Sequence, residues 1–204
     1  QQDQFLDKNL FGVDSIPKNE RPINQHWSWD KILRSPYIKQ ADVMQGFYFF
    51  EDHFSQEQLE KHFDFYEPFT VHESSLSSCI HSIQASKLNR VDKAYEFYLQ
   101  TSRLDLDDYN NEVEEGLHIT SMAGTWSSIV EGFGGMRVLN DKLSFNTKIP
   151  KQWDMYSFKI IFRNNIISVK VTRNLTEIEL TGDKPLEILL NNKLVIVEPI
   201  KIDI

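Results

Sequence analysis

A short polar stretch carries the residue types best suited to binding an anion. The segment HITSMAGTW combines an imidazole, two hydroxyls and two small residues: His118, Thr120, Ser121, Ala123 and Gly124. If a helix begins at Thr120 or Ser121, free backbone amides around residues 122–124 point outward, and the small residues let a ligand approach closely. We therefore predict a compact anion site here, although a helix cap followed by small packing residues explains the same pattern.

Two further polar stretches lie at predicted helix ends. In PFTVHESSLS, either Ser74 or Ser75 can cap the next helix, whereas His72 has no comparable structural role. In YIKQADV, Lys39 and Gln40 are predicted to open a helix, where a lysine interacts unfavourably with the helix dipole. His72, Lys39 and Gln40 are therefore candidate binding residues. A solvated first turn remains the alternative interpretation of the Lys-Gln pair.

Several other kinds of site are not indicated by the sequence. No segment has the spacing of a glycine-rich nucleotide loop, a histidine-rich metal site or a Ser-His-Asp triad, so we expect neither a metal nor an organic cofactor. The net charge is −8, from 30 acidic and 22 basic residues. This balance argues against nucleic acid or an anionic membrane as the main partner.

Cysteine usage and hydropathy bear on the compartment. The single cysteine, Cys79, lies in an apolar pattern and cannot form a disulfide within the chain, which fits a reducing compartment. The first residues lack the basic and apolar parts of a signal peptide, and no run approaches the roughly 20 apolar residues of a membrane span. We therefore expect a cytoplasmic protein.

The elements that must position these residues change from helices to strands near Asp141. After an irregular opening at residues 1–36, apolar side chains recur at helical spacing, and the helices are joined by short links. Beyond Gly135, short segments with a period of two alternate with turn signals. We predict a mainly α fold with a C-terminal β domain: helices in residues 1–140, then about five antiparallel strands in residues 141–204.

Five stretches, taken together and in order, resemble the disaccharide phosphorylases of glycoside hydrolase family 65. They are RPINQHWSWDKILRS, IKQADV, TVHESSLS, DLDDYNNEVEEGLHITSMAGTW and GFGGMR. The resemblance covers nearly the whole chain but only the C-terminal part of that family. It implies that residues 1–140 are the last helices of an (α/α)6 catalytic barrel and that a small antiparallel β domain follows.

The resemblance also implies roles for individual residues. Lys39 and Gln40 match a pair that contacts the glucose on the non-reducing side of the scissile bond. The loop that holds inorganic phosphate is matched by four residues: His118, Thr120, Ser121 and Gly124. His72 matches a further stretch and is a possible site residue. The family's general acid is a glutamate in an upstream motif that is absent here, so no catalytic residue is assigned in this chain.

The activity implied is that of an inverting phosphorylase. Such an enzyme cleaves an α-linked glucose disaccharide, here expected to be maltose, with inorganic phosphate as co-substrate, giving β-glucose 1-phosphate and glucose. We expect the chain to need the missing N-terminal portion as its partner, to be inactive alone, and to act within a homodimer. Two alternatives remain: an inverting α-glucoside hydrolase of the same family, and a non-catalytic helical and β module.

Phosphate explains the contrast between the polar turn and the acidic run before it. An inverting hydrolase uses a carboxylate base to activate water, whereas phosphate is already a nucleophile and would be repelled by that carboxylate. Residues 105–115 hold six acidic side chains and no basic one. We therefore expect Glu114 and Glu115 to point away from the turn, or one of them to orient His118.

Overall fold

The computed structural model describes residues 10–200, and predictions that concern residues 1–9 and 201–204 lie outside this range. The helical part contains α1 Ile23–His26, α2 Trp29–Leu33, α3 Asp42–Phe49, α4 Gln56–Tyr66, α5 Ser77–Lys87, α6 Val91–Ser102, α7 Leu104–Asp107 and α8 Ile119–Ser127. A π-helical segment, Ser128–Phe133, continues α8, and short 3-10 turns occupy Val13–Ser15, Lys18–Glu20, Glu51–His53, Glu67–Phe69 and Val113–Glu115. A helical region followed by a mostly antiparallel β domain confirms the predicted fold class.

Local sequence explains where these helices begin. At α4, the Ser55 hydroxyl accepts from the Gln58 amide while the Gln58 side chain accepts from the Ser55 amide, forming a capping box. Two expectations are wrong. Lys39 and Gln40 do not open a helix, because α3 begins at Asp42 after an unwound residue 41. The opening residues are not wholly irregular either, since short helical turns form between the prolines.

Helix α5 lies at the centre of the helical part, with ten of its eleven residues buried. Two of its serines are tolerated there because their hydroxyls donate to backbone carbonyls of neighbouring helical segments. Ser82 donates to the Ala94 carbonyl of α6 at 2.9 Å, and Ser86 donates to the Gly132 carbonyl of the π-helical segment at 2.8 Å. The remaining faces of α5 contact α3 and α8. Helix α5 therefore contacts α3, α6, α8 and the π-helical segment, and holds them together.

The β domain consists of two sheets rather than one meander. The strands are β1 Arg137–Leu139, β2 Lys142–Phe145, β3 Met155–Phe162, β4 Asn165–Thr172, β5 Thr176–Thr181, β6 Leu186–Leu190 and β7 Lys193–Val197. Strands β3, β4 and β5 form an antiparallel meander, whereas the second sheet has the order β1-β2-β6-β7. In that sheet β2 pairs with β6 in parallel. The prediction of a single antiparallel meander missed this pairing because β1 and β2 are too short to show a period.

A buried ionic cluster joins the two parts of the chain. Arg137, at the start of β1, donates to Glu51 at 2.7 Å and to the Glu131 carbonyl at 2.7 Å. Glu51 is 7% exposed and also pairs with Lys87 of α5 at 2.9 Å. Since the partners come from both parts, the cluster fixes the first strand against the helices. Within residues 10–200, no helix is long and apolar enough to cross a membrane.

The close approach of α8 to α5 depends on Gly124. A β-carbon added at Gly124 would lie 2.7 Å from Cys79 Cβ and 2.9 Å from Cys79 Sγ. We expect Gly124→Ala to lower the free energy of unfolding by about 1–3 kcal/mol, because overpacking forces the helices apart. Gly46→Ala is the matched control, since Gly46 lies in α3 with open space around it. That change should instead stabilise the chain by roughly 0.5–1 kcal/mol. Chemical denaturation measures both, and equal effects would contradict the packing role.

Candidate functional site

Two helix N-termini meet at the residues singled out by the sequence. Helix α5 begins at Ser77 and α8 begins at Ile119. Just before and just inside these starts, the Ser75 hydroxyl and the Thr120 hydroxyl lie 2.6 Å apart. The first amides of a helix lack intrahelical partners and carry the positive end of the helix dipole. The junction of α5 and α8 is therefore suited to binding an anion.

The available amides are not those that the sequence predicted. The Ser121 and Met122 amides both donate to the His118 carbonyl, at 2.9 and 3.3 Å. Because the helix begins at Ile119, residues 122–124 already lie within its hydrogen-bonded turns, and the expectation of free amides there is wrong. The amides left without an intrahelical acceptor are those of Ile119 and Thr120. The free amides of α8 therefore precede the predicted ones, and the helix begins just before the predicted start at Thr120 or Ser121.

Two of the four predicted phosphate residues face the protein interior. Ser121 is 3% exposed, and its hydroxyl donates to the Thr101 carbonyl of α6. Gly124 packs against Cys79 of α5, as described above. Both residues therefore fix the position of α8 in the helical packing. This matches the alternative interpretation of small residues for helix packing, while a direct contact with phosphate stays a prediction.

His118 is held by a carboxylate that the sequence did not single out. Asp105 accepts from the His118 amide at 3.0 Å, and its other oxygen lies 2.5 Å from His118 Nδ1. These contacts, led by the backbone amide, lower the pKa of Asp105. Glu114 and Glu115 are exposed and do not orient His118. The only sequence signal for Asp105 was its place at the start of the acidic run.

His72 lies beside the same junction. Its backbone is left-handed, with φ of 57°, and its Nδ1 lies 2.8 Å from the Ser77 hydroxyl at the start of α5. The ring is packed between those of His81 and Phe97, with centroids 4.5 and 5.1 Å away. His72 lines a cavity of about 620 Å³ together with Ser75 and Ser121. The structure thus brings two of the predicted stretches onto one cavity.

Backbone contacts place Lys39 and Gln40 beside the segment that contains His72. Residue 38 forms a parallel bridge with Thr70, and the Glu73 amide donates to the Lys39 carbonyl at 3.1 Å. The Lys39 side chain is exposed, whereas the side-chain amide of Gln40 donates to the Asp42 carboxylate at 2.7 Å. The Lys-Gln pair therefore lies alongside the segment that leads into α5. Among residues 10–200, no group of three or more His, Cys, Asp or Glu side chains is arranged to hold a metal ion.

Comparison with known families identifies the chain. The profile of the glycosyl hydrolase family 65 central catalytic domain matches residues 1–127, which is more than half of the sequence. The chain belongs to glycosyl hydrolase family 65. A second profile, for the C-terminal domain of family 65, matches residues 136–197. The resemblance seen in the sequence is confirmed, and the two profiles meet where the helices give way to strands.

The relatives that the chain matches include disaccharide phosphorylases. Maltose phosphorylase of Bacillus subtilis is 55% identical over 186 residues, covering 91% of this chain and 25% of that protein. Alpha,alpha-trehalose phosphorylase of Thermoanaerobacter brockii is 41% identical, and the match covers 97% of this chain and 26% of that protein. A solved chain from the human microbiome, described as a kojibiose phosphorylase, superimposes with a TM-score of 0.89 at 42% identity. The match covers 97% of this chain and 26% of that one. The chain spans about a quarter of the length of these relatives.

Two histidines packed against each other, His72 and His81, are expected to make the fold sensitive to acid. Burial lowers the pKa of His72 to about 3, and it lowers the pKa of the fully buried His81 well below its usual value of 6.5. Below pH 6.5 the unfolded chain binds protons that the folded chain does not, so stability should fall as the pH drops from 6.5 toward 3. Each histidine contributes a slope of up to about 1.4 kcal/mol per pH unit.

The variant His81→Leu should reduce this slope in urea titrations between pH 6.5 and 4. Phe63→Leu is the matched control, because the Phe63 ring packs on His81 with centroids 5.9 Å apart but does not titrate. The control should lose stability by the same amount at every pH. A slope that is unchanged in His81→Leu would show that this histidine does not carry the acid sensitivity.

Proposed function

We propose that the complete protein is an inverting disaccharide phosphorylase of glycosyl hydrolase family 65. It would cleave an α-linked glucose disaccharide with inorganic phosphate to give β-glucose 1-phosphate and glucose. Its relatives include phosphorylases of maltose, trehalose and kojibiose. The 55% identity to maltose phosphorylase favours maltose as the substrate. A cytoplasmic location and a homodimer remain predictions that accompany this proposal.

The observation that carries the proposal is the meeting of two helix N-termini. An anion placed beside Ser75 and Thr120 would face the dipoles of both α5 and α8. It would accept from one of the two hydroxyls while their mutual hydrogen bond is kept, and from both once that bond opens. The first free amides of α8 would add further donors. An inverting phosphorylase needs a site of this kind, because phosphate takes the place of an activated water.

The geometry refines the roles of the predicted phosphate residues. We infer that Thr120, Ser75 and the His118 imidazole contact phosphate, because they lie at the starts of α8 and α5 and none of the three is buried. Ser121 and Gly124 would act by holding α8 against α5 and α6. Lys39 and Gln40 would bind the sugar, and His72 would support the start of α5 through Ser77.

An inverting hydrolase is less well supported, because it needs a carboxylate free to act as a general base. Near the α5–α8 junction, the carboxylate of Asp105 is engaged by His118 through both oxygens. Its lowered pKa makes it a weaker base. Glu73 is 7% exposed and is occupied by the amides of Ile23 and Asn24 at the start of α1. Neither carboxylate is placed to activate water.

The proposed reaction is tested by comparing this chain with the full-length protein. Incubated with maltose and phosphate, the full-length protein should release glucose 1-phosphate, and omitting phosphate should abolish cleavage. The chain alone should be inactive, because it lacks a general acid, whose contribution is typically a factor of about 10²–10⁴. Trehalose and kojibiose serve as competing substrates. Cleavage of maltose at the same rate without phosphate would instead establish a hydrolase.

The binding roles predict separate kinetic effects in the full-length enzyme. Thr120→Val removes a hydroxyl while keeping its shape, and should raise KM for phosphate roughly tenfold with little change for maltose. Lys39→Met should impair the use of maltose and leave the melting temperature nearly unchanged, because the side chain is exposed. Steady-state kinetics with each substrate varied separately measures both.

Ser121→Ala is the contrasting variant for the phosphate site. Since its hydroxyl is buried and donates to Thr101, its loss should cost about 1 kcal/mol of stability and change KM for phosphate less than Thr120→Val does. A larger phosphate defect in Ser121→Ala than in Thr120→Val would reverse the assignment of the two residues.

A further inference from the structure

We propose that Asp105 is a positioning residue for phosphate, acting through His118. This inference rests on the proposed function and concerns the same site. The Asp105 carboxylate forms two hydrogen bonds with His118, one to the backbone amide at 3.0 Å and one to Nδ1 at 2.5 Å. Both bonds reach the residue that immediately precedes α8, thirteen positions along the chain from Asp105. The ring and the start of the helix are therefore fixed together.

The contact determines which ring nitrogen is left for a ligand. An ionised carboxylate is only an acceptor, so Nδ1 must carry a hydrogen when it pairs with Asp105. The same arrangement fixes ring orientation in histidines that bind metals, where the partner of the second nitrogen sets the tautomer. In this chain it leaves Nε2 of His118 as the nitrogen that can face phosphate.

The surroundings of Nε2 are consistent with this role. The Glu112 carboxylate lies on the same side, with its Oε2 3.8 Å from Nε2, and it also accepts from the Asn110 side chain at 3.4 Å. Phosphate at Nε2 therefore requires Glu112 to turn away, which its place in the loop before α8 permits. The His118 side chain is 19% exposed, so the ring is held by the protein while one edge remains accessible. Nε2 donates to phosphate when both ring nitrogens carry hydrogens, and otherwise accepts from a phosphate hydroxyl. In either form, the charge of Asp105 lies on the Nδ1 side of the ring, away from the nitrogen proposed to face phosphate.

A purely structural carboxylate is available for comparison in the same acidic run. Asp107 pairs with Arg103 at 2.7 Å within one helical turn. Asp107→Asn therefore removes a charge of the same sign, two residues away, without touching the phosphate site. This variant controls for the general effect of a less acidic loop on binding of an anion.

The experiment is a double-mutant cycle in the full-length protein. Asp105→Asn, His118→Asn and the double variant are compared by calorimetric titration with inorganic phosphate in the absence of sugar, and by KM for phosphate and for maltose. Asp105→Asn should weaken phosphate binding roughly tenfold and leave KM for maltose unchanged. In the His118→Asn background it should have almost no further effect, because the residue that it positions is gone. Asp107→Asn should bind phosphate as the wild type does.

Each outcome decides the inference separately from the proposed function. Equal loss of phosphate binding in both backgrounds would overturn it, because Asp105 would then act without His118. A parallel loss for phosphate and maltose with a lower melting temperature would also overturn it, as a structural role predicts. If Asp105→Asn does not fold, Asp105→Glu, which keeps the charge but shifts the carboxylate, is used in the same cycle. Coupled phosphate binding without phosphorolysis would support Asp105 while rejecting the phosphorylase.

Discussion

The close packing of α8 against the buried helix α5 is the constraint on which the candidate site depends. The absence of a side chain at Gly124 lets the two helices approach at Cys79. Ser121 then pins the start of α8 to α6 through the Thr101 carbonyl. Because both helices begin at the same end of this contact, their N-termini come together at Ser75 and Thr120. Ser121 and Gly124 thus bring the two helix starts together at the candidate site.

The acidic run before α8 is compatible with an anion site because its charges are distributed by position. Asp105 faces the back of His118, Asp107 is neutralised by Arg103, and the Asp108 carboxylate accepts from the Glu112 amide at 2.9 Å. Glu114 and Glu115 remain exposed to solvent, where water screens their charge. Glu112 is the exception, because its carboxylate lies 3.8 Å from Nε2 of His118, on the side of the candidate site.

The backbone connects the sugar-binding candidates to the same site. A short parallel bridge between residue 38 and Thr70 aligns the Lys-Gln pair with the segment leading into α5. At the other end of the helical part, Arg137 ties the first strand to Glu51. These contacts join segments 30 to 90 residues apart in sequence, and they give the helical part and the β domain one continuous scaffold.

The sequence by itself determined the class of the fold, the family and the three stretches that meet at the candidate site. Helical and strand periods are local properties, and the capping box at Ser55 could be read directly from residue types. The sequence did not determine which of the two hydroxyls is exposed, because Thr120 and Ser121 are adjacent and of the same chemical type. Only packing against Thr101 turns Ser121 inward and leaves Thr120 exposed.

Tertiary structure alone also decided the partner of His118 and the order of the strands. Six acidic residues precede that histidine, and nothing in their spacing selects Asp105, whose reach depends on how the loop folds back onto α8. Likewise, the parallel pairing of β2 with β6 joins segments about 45 residues apart, which no local period can reveal. Local sequence patterns determine the helices and strands, whereas contacts between distant segments determine which side chains lie together at the candidate site.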